Sequence, residues 1–265
     1  MEHAYRVSDD IYALRTYFPV PALGMLPVNA FVLQAREPVL IDTGLIAEHD
    51  QFMATLESIM DPRDLRLLWL THPDPDHVGS LQQLVTDNPH LRVITTFLGF
   101  GMLSLFCPLP PDRIFLLNPG QTLDVGDRTL LAVMPPTFDN PATTAVFDAR
   151  SGALFSSDCF GAVLAAPAEQ AGDLSPADLR QGQLLWGSVD SPWVSKVQRP
   201  RFSQDLASLG QLEPKLILSS HLPPARGLTQ QLLANLELLP DAPPFTGPDQ
   251  AAMERMLAEL TAVPA

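Results

Sequence analysis

The sequence has 265 residues, enough for one substantial hydrophobic core without a division into two. Thirty acidic against sixteen basic side chains leave a formal charge of −14, which repels phosphate backbones and argues against nucleic acid as a partner. No apolar run is long enough to cross a bilayer, the amino terminus lacks a secretory pattern, and Cys107 and Cys159 show no metal-type spacing, so a reduced, cytoplasmic protein off the membrane is expected.

In chain order, residues 29–34 and 38–42 read as strands joined by the polar turn Ala35-Arg36-Glu37, and Asp42-Thr43-Gly44 closes the second. Residues 48–60 carry helix spacing, and the apolar run 65–70 reads as a strand. A helix starts at 80, with Ser80 available as its cap, and 91–97 is a further strand. Residues 121–134, broken by Gly126-Asp127, and 143–157, broken by Arg150-Ser151-Gly152, read as hairpins. A mostly helical stretch, 175–209, leads to a last strand at 215–219, then to a proline-rich segment from about 240 and a short helix at 248–260. Strands mixed with helices in this order predict an α/β sandwich, sheet on sheet with helices outside, formed by residues 1–265 as a single domain.

The most informative stretch is His72-Pro73-Asp74-Pro75-Asp76-His77, directly after the strand at 65–70. Successive residues of an extended chain point to opposite faces, so two imidazoles and two carboxylates this close converge only where the chain turns sharply. Pro73 and Pro75 suit that turn, since each fixes its own φ and keeps the preceding residue out of the helical region. Asp158 follows the strand-like run 152–157, His221 follows 217–220, and Asp42 ends another strand. Strand ends on one edge of a sheet gather side chains from distant parts of a sequence. Histidine nitrogens with carboxylate oxygens, and no cysteine beside them, favour zinc, iron or manganese.

The segments Asp42-Thr43-Gly44, Thr71-His72-x-Asp74-x-Asp76-His77, Ser157-Asp158 and Ser220-His221 resemble the ordered motifs of the metallo-β-lactamase fold superfamily, and they span about two-thirds of the chain. Leu154-Phe155-Ser156-Ser157-Asp158-Cys159-Phe160-Gly161 and the stretch 193–198 are most similar to the di-iron core domain of flavodiiron proteins and their flavin-free relatives. The resemblance implies a four-layered αββα sandwich. It implies one metal held by His72, Asp74 and Asp158, and a second held by Asp76, His77, Asp158 and His221, with Asp158 bridging and Asp42 orienting a ligand imidazole. Iron is the first expectation for both positions, with zinc or manganese as alternatives.

Two departures weaken the first position. Asp74 stands where glutamate is usual, and Phe138 stands about where the family supplies another histidine, which leaves Asp139 as a substitute ligand. That position is therefore expected to be weak or empty unless Asp139 completes it, and Phe138→His tests the point. The resemblance implies binding or reduction of oxygen or nitric oxide. The 265 residues are expected to hold no flavin domain, so either a separate redox partner or a binding and sensing role without turnover is required, and a homodimer is compatible with the reading. A metal-dependent hydrolase of a small ester, lactone, thioester or phosphoester is the alternative, with Asp76 orienting or deprotonating the attacking water. A non-catalytic binding protein with a degenerate site is the third. Arg226 as an anion holder completes the candidates, Trp186, Trp193 and Phe202 are read as core or helix packing with pocket lining as the alternative, and His3, His49 and His90 are expected to stay outside the site.

Overall fold

A computed structural model of the protein describes residues 4–262, so His3 lies outside the described residues. The first sheet runs in chain order: β1 (Tyr5–Arg6), β2 (Ile11–Val20), β3 (Gly24–Leu33), β4 (Val39–Ile41), β5 (Leu67–Trp69), β6 (Arg92–Thr95) and β7 (Ile114–Leu116). The second contains β8 (Thr122–Asp124), β9 (Thr129–Val133), β10 (Ala145–Asp148), β11 (Ala153–Phe155), β12 (Leu216–Leu218) and β13 (Ala225–Arg226), in the spatial order β13-β12-β11-β10-β9-β8. Helices α1 (His49–Ile59), α2 (Leu81–Asp87) and α3 (Phe97–Leu103) fall between strands of the first sheet. Helices α4 (Pro176–Asp190) and α5 (Arg199–Gly210) separate β11 from β12, and α6 (Thr229–Leu236) and α7 (Gln250–Ala262) follow β13.

The period of two in the strands decides the layers. In β5, Leu67 and Trp69 enter the core between the sheets, where they meet Leu130, Val146, Phe155 and Leu218, while Leu68 turns outward to Phe52, Leu56 and Leu84 of the first helix layer. In β11 and β12, Ala153, Phe155, Leu216 and Leu218 face inward, and Leu154 and Ile217 face Leu179, Leu206 and Leu232 of the second helix layer. Both faces of these central strands are covered, which is why they read as unbroken apolar runs rather than as alternation. The layers are helix, sheet, sheet, helix, the αββα sandwich that the resemblance implies. Phe31 and Phe155 meet across the sheets edge to face, with centroids 5.5 Å apart, and Trp69 buries its ring while donating from Nε1 to Thr144 Oγ1 at 3.0 Å. Burial of each such side chain stabilises the fold by roughly 1.5–3 kcal/mol.

Several elements depart from the sequence expectations. The long β2–β3 pairing, ten residues on each side, starts well before residue 29. Pro19 and Pro27 interrupt its alternation and mask it from a reading by pattern. Helix α6 was also not anticipated, and the expected strand at 91–97 ends at Thr95, whereupon Thr96 caps α3 by accepting from Gly99 N–H. Ser80 precedes α2 but does not cap it with its side chain, because its hydroxyl lies 3.0 Å from His49 Nδ1 instead. Residues 242–249 run without regular structure, as the prolines lead one to expect. Among the described residues no helix is long and apolar enough to cross a membrane.

Candidate metal centre

Strands β4 and β5 are parallel in one sheet and β11 and β12 are parallel in the other, so all four deliver their carboxyl ends to one edge of the sandwich. From those ends come Asp42, the 71–77 segment, Asp158 and His221. The loops are cross-braced: Thr43 N–H and Oγ1 both donate to the His77 carbonyl, and Gly79 N–H donates to the Gly44 carbonyl. A side chain at Gly79 would bring its Cβ within 2.4 Å of the Gly44 carbonyl oxygen, so this approach requires glycine. Asp42, Ser157 and Phe160 have φ of 59°, 55° and 69°. Left-handed backbone at three non-glycine residues around one site is strain that the surrounding packing holds in place.

The side chains converge on Asp158. Its Oδ2 lies 3.3 Å from His72 Nε2, and its Oδ1 lies 3.1 Å from both His77 Nε2 and His221 Nε2. Asp76 approaches the second group, with Oδ1 3.7 Å from His77 Nε2 and Oδ2 3.4 Å from His221 Nε2. Asp74 Oδ2 and Asp139 Oδ1 approach the first, at 3.8 and 3.7 Å from His72 Nε2. One carboxylate thus faces two clusters with its two oxygens, the disposition a bridging ligand needs.

The other ring nitrogen of each histidine is occupied. His221 Nδ1 lies 2.8 Å from the Pro27 carbonyl oxygen and His77 Nδ1 lies 2.9 Å from Asp42 Oδ2. Both partners only accept, so both Nδ1 atoms carry hydrogen and donate. Thr71 Oγ1 donates to Asp42 Oδ2 at 2.8 Å, and Ser157 Oγ donates to Thr71 Oγ1 at 3.1 Å, which leaves the Ser157 oxygen to accept from His72 Nδ1 at 3.2 Å. With each Nδ1 protonated, a neutral ring turns its Nε2 lone pair inward. His72 Nε2, His77 Nε2 and Asp158 Oδ1 are buried with no hydrogen-bond partner. Orphaned polar groups of this kind cost about 1–3 kcal/mol each, and divalent cations at the two clusters would satisfy all three. The donor set therefore fits metal.

Around His77 and His221 the carboxylates favour positive charge. Burial disfavours charge on His77, yet the carboxylates of Asp42, Asp158 and Asp76 outweigh it and hold this imidazole well above its ordinary value. His221 is raised against burial by Asp158 and Asp76, whereas His72 is lowered by burial and by its neighbour His77. Despite its own burial, Asp158 is held well below the carboxylate range by the imidazoles. Asp76 is likewise held below that range, against burial, by His77 and His221, so it presents a charged carboxylate.

The first cluster differs from expectation in detail. Phe138 does not face it: its ring packs on Trp193, with centroids 5.0 Å apart, beside an apolar cleft of about 530 Å³. Asp139, the next residue, turns to His72, and Asn140 Nδ2 donates to Asp74 Oδ1 at 2.7 Å, steering the short carboxylate. Phe138→His is accordingly expected to leave metal stoichiometry unchanged, and an increase in bound metal per chain on elemental analysis would contradict that. Trp186, read from sequence as packing or pocket lining, meets the site itself, and Asp190 beside it carried no sequence signal. Trp186 donates from Nε1 to the Asp158 carbonyl at 3.0 Å and lies against the His221 ring, with centroids 4.5 Å apart. Asp190, the last residue of α4, brings a carboxylate oxygen within 4.8 Å of oxygens of Asp139 and Asp158. Arg226 instead donates to the Val7 carbonyl, and His90 is exposed.

Without metal, the site holds protons where cations would sit. Burial and the charges of Asp158, Asp190 and Asp74 push Asp139 up to about 8, moderated by solvent because its side chain is 34% exposed. Burial and Asp158 push Asp190 up to about 7. Groups raised on folding, these two with His77 and His221, stabilise the fold below their ordinary values, and that contribution is lost as pH rises through the folded values. His72 acts in the opposite sense. Metal-free protein is expected to lose thermal stability as pH climbs from 3.8 to about 8, and bound Mn²⁺ to reverse the trend because only deprotonated ligands hold it. Melting curves with and without Mn²⁺ check this; a metal-free melting temperature rising steadily across that range would contradict it.

Comparison with known proteins places this geometry. A family profile described as "ODP family beta lactamase" matches residues 26–177, more than half of the chain. The chain is 28% identical over 134 residues to diflavin flavoprotein A 1 of Synechocystis sp., covering 50% of this chain and 23% of that protein. It is 27% identical over 134 residues to the anaerobic nitric oxide reductase flavorubredoxin of Salmonella typhi, covering 50% of this chain and 28% of that protein. The matched region therefore spans about a quarter of the length of these relatives. Among solved structures, rubredoxin oxygen:oxidoreductase of Desulfovibrio gigas superposes with a TM-score of 0.78 at 19% identity, over 90% of this chain and 61% of that one. The flavodiiron protein of Giardia intestinalis gives 0.76 at 16% identity, over 91% and 60%. The chain belongs to the ODP beta-lactamase family, and its metallo-β-lactamase fold is close to that of flavodiiron core domains.

Proposed function

We propose that this chain holds a dinuclear iron centre that binds or reduces oxygen or nitric oxide. The observation that carries the reading is the convergence of three imidazole Nε2 atoms on the two oxygens of Asp158, with further carboxylates on either side. In this reading His72, Asp74, Asp139 and Asp158 hold one ion, and Asp76, His77, Asp158 and His221 hold the other. Asp42 fixes the His77 ring through its carboxylate, and Pro27 fixes His221 through its carbonyl. The names of the relatives support the choice of substrate, since one is a nitric oxide reductase and a structural neighbour is an oxygen oxidoreductase.

When bound, iron in this mixed imidazole and carboxylate set supplies reversible electron transfer and open positions for a small ligand. The protein supplies the rest. The buried imidazoles and Trp186 line one side of the site, while Asp74, Asp76 and Asp139, with side chains 29%, 28% and 34% exposed, keep the other in contact with solvent for proton entry. Asp76, a charged carboxylate next to two imidazoles, is the member of the second set that reaches solvent beside His221. Electrons would come from a redox partner or module outside these residues. Reduced, iron-loaded protein is expected to change its absorption spectrum on exposure to nitric oxide or oxygen. Protein that retains only zinc, with a spectrum indifferent to both gases, would refute the reading.

A further inference from the structure

The first metal position poses a question of its own, because its one imidazole is joined by carboxylates alone. Asp139, Asp158 and Asp190 each place an oxygen within 4.8 Å of the others, and among the described residues no lysine or arginine pairs with any of them. Asp190 is the most telling. It sits at the carboxyl end of α4, where the helix dipole disfavours negative charge, and is partly buried beside Asp158. Its carboxylate accepts from the neighbouring Ser191 hydroxyl, at 2.8 Å. Three carboxylates in so small a space repel one another when charged, and a cation between them removes that repulsion. A buried imidazole borders two of these three carboxylates. His72 Nε2 is buried, has no hydrogen-bond partner, and lies 3.3 Å from Asp158 Oδ2 and 3.7 Å from Asp139 Oδ1.

We propose that Asp190 is a ligand of this first metal position and that, with Asp139, it takes the place of the imidazole that Phe138 cannot supply. The two positions then differ in chemistry. The one at His77 and His221 is built on two imidazoles, whereas the one at His72 is dominated by carboxylate oxygen and favours Mn²⁺ or Fe²⁺ over Zn²⁺ relative to its neighbour. This deepens the dinuclear reading and rests on it.

The test titrates Mn²⁺ into the metal-free 265-residue chain, read by calorimetry and by the electron paramagnetic resonance of Mn²⁺, with Zn²⁺ in competition. The wild type is expected to take up two Mn²⁺ per chain. Asp190→Asn keeps the shape and the Ser191 contact, and is expected to weaken one of the two by at least about tenfold while sparing the other. Asp190→His restores a ligand without restoring the charge, so it is expected to recover the second ion and to shift that position toward Zn²⁺. Unchanged affinity for both ions in Asp190→Asn would overturn the assignment, as would loss of both ions together. Equal weakening in the Asn and His variants would overturn it too, by showing that only charge matters. A wild type that binds no Mn²⁺ or Zn²⁺ would instead refute the dinuclear reading itself, whatever the variants do.

Discussion

Asp158→Ala is expected to abolish metal uptake at both positions while leaving the protein folded. Asp158 is the one side chain that faces both clusters, with Oδ2 toward His72 and Oδ1 toward His77 and His221. In the proposed centre its loss removes a charged ligand from each ion, and leaves the imidazoles without the carboxylate that now raises His77 and His221. The fall in affinity should exceed the roughly 10–100-fold that loss of an outer partner produces. Asp42→Asn provides that milder comparison, since Asp42 touches only the far nitrogen of His77 and the Thr71 backbone and hydroxyl. Elemental analysis beside circular dichroism separates lost ligands from lost fold. Metal content near the wild-type level in folded Asp158→Ala would disprove the bridging role.

The second large effect lies at the opposite edge of the sandwich and concerns stability. Arg128, just before β9, donates from Nη1 to Asp10 at 2.6 Å and to Asp148 at 3.0 Å, and from Nη2 to Asp127 at 3.0 Å. Asp10 precedes β2 of the first sheet and Asp148 ends β10 of the second, so one guanidinium ties the two sheets together. The Arg128 and Asp148 side chains are 3% and 0% exposed. Removing the cation leaves a buried carboxylate uncompensated, which costs about 3–5 kcal/mol. Arg128→Leu is therefore expected to lower the melting temperature by on the order of 10 °C. The double variant Arg128→Leu/Asp148→Asn is expected to recover part of it. A single variant that melts with the wild type would mean that hydrophobic filling compensates the lost pair.

How far the sequence reveals this molecule depends on whether a signal is local. The inner strands β4, β5, β11 and β12 are short apolar runs that end in turn residues, and both the runs and the ligands after them can be read directly. The family resemblance then orders the sheets, something periodicity alone does not do. Long-range partners leave no such mark. Pro27, in a strand whose alternation its own ring obscures, supplies the carbonyl that fixes His221 from 194 residues away. Ser157 can be read as a neighbour of Asp158, but its hydroxyl bridge from His72 to Thr71 exists only in the folded arrangement. Asp190 reads as one more acid at the end of a solvated helix, and only the packing of α4 against the site brings it near Asp158. Asp139 is the intermediate case. Its place next to Phe138 suggests a substitute ligand, and the outward turn of Phe138 onto Trp193 is what directs the Asp139 carboxylate to His72.

The proposed dinuclear centre is tested most directly by the ratio of metal to chain, measured by elemental analysis after anaerobic loading with Fe²⁺ and removal of unbound ion. Two iron atoms per chain are predicted for the wild type and for Phe138→His, with none in Asp158→Ala. A wild-type ratio that stays at zero under these conditions, or a ratio of two that persists in Asp158→Ala, would contradict the centre described here.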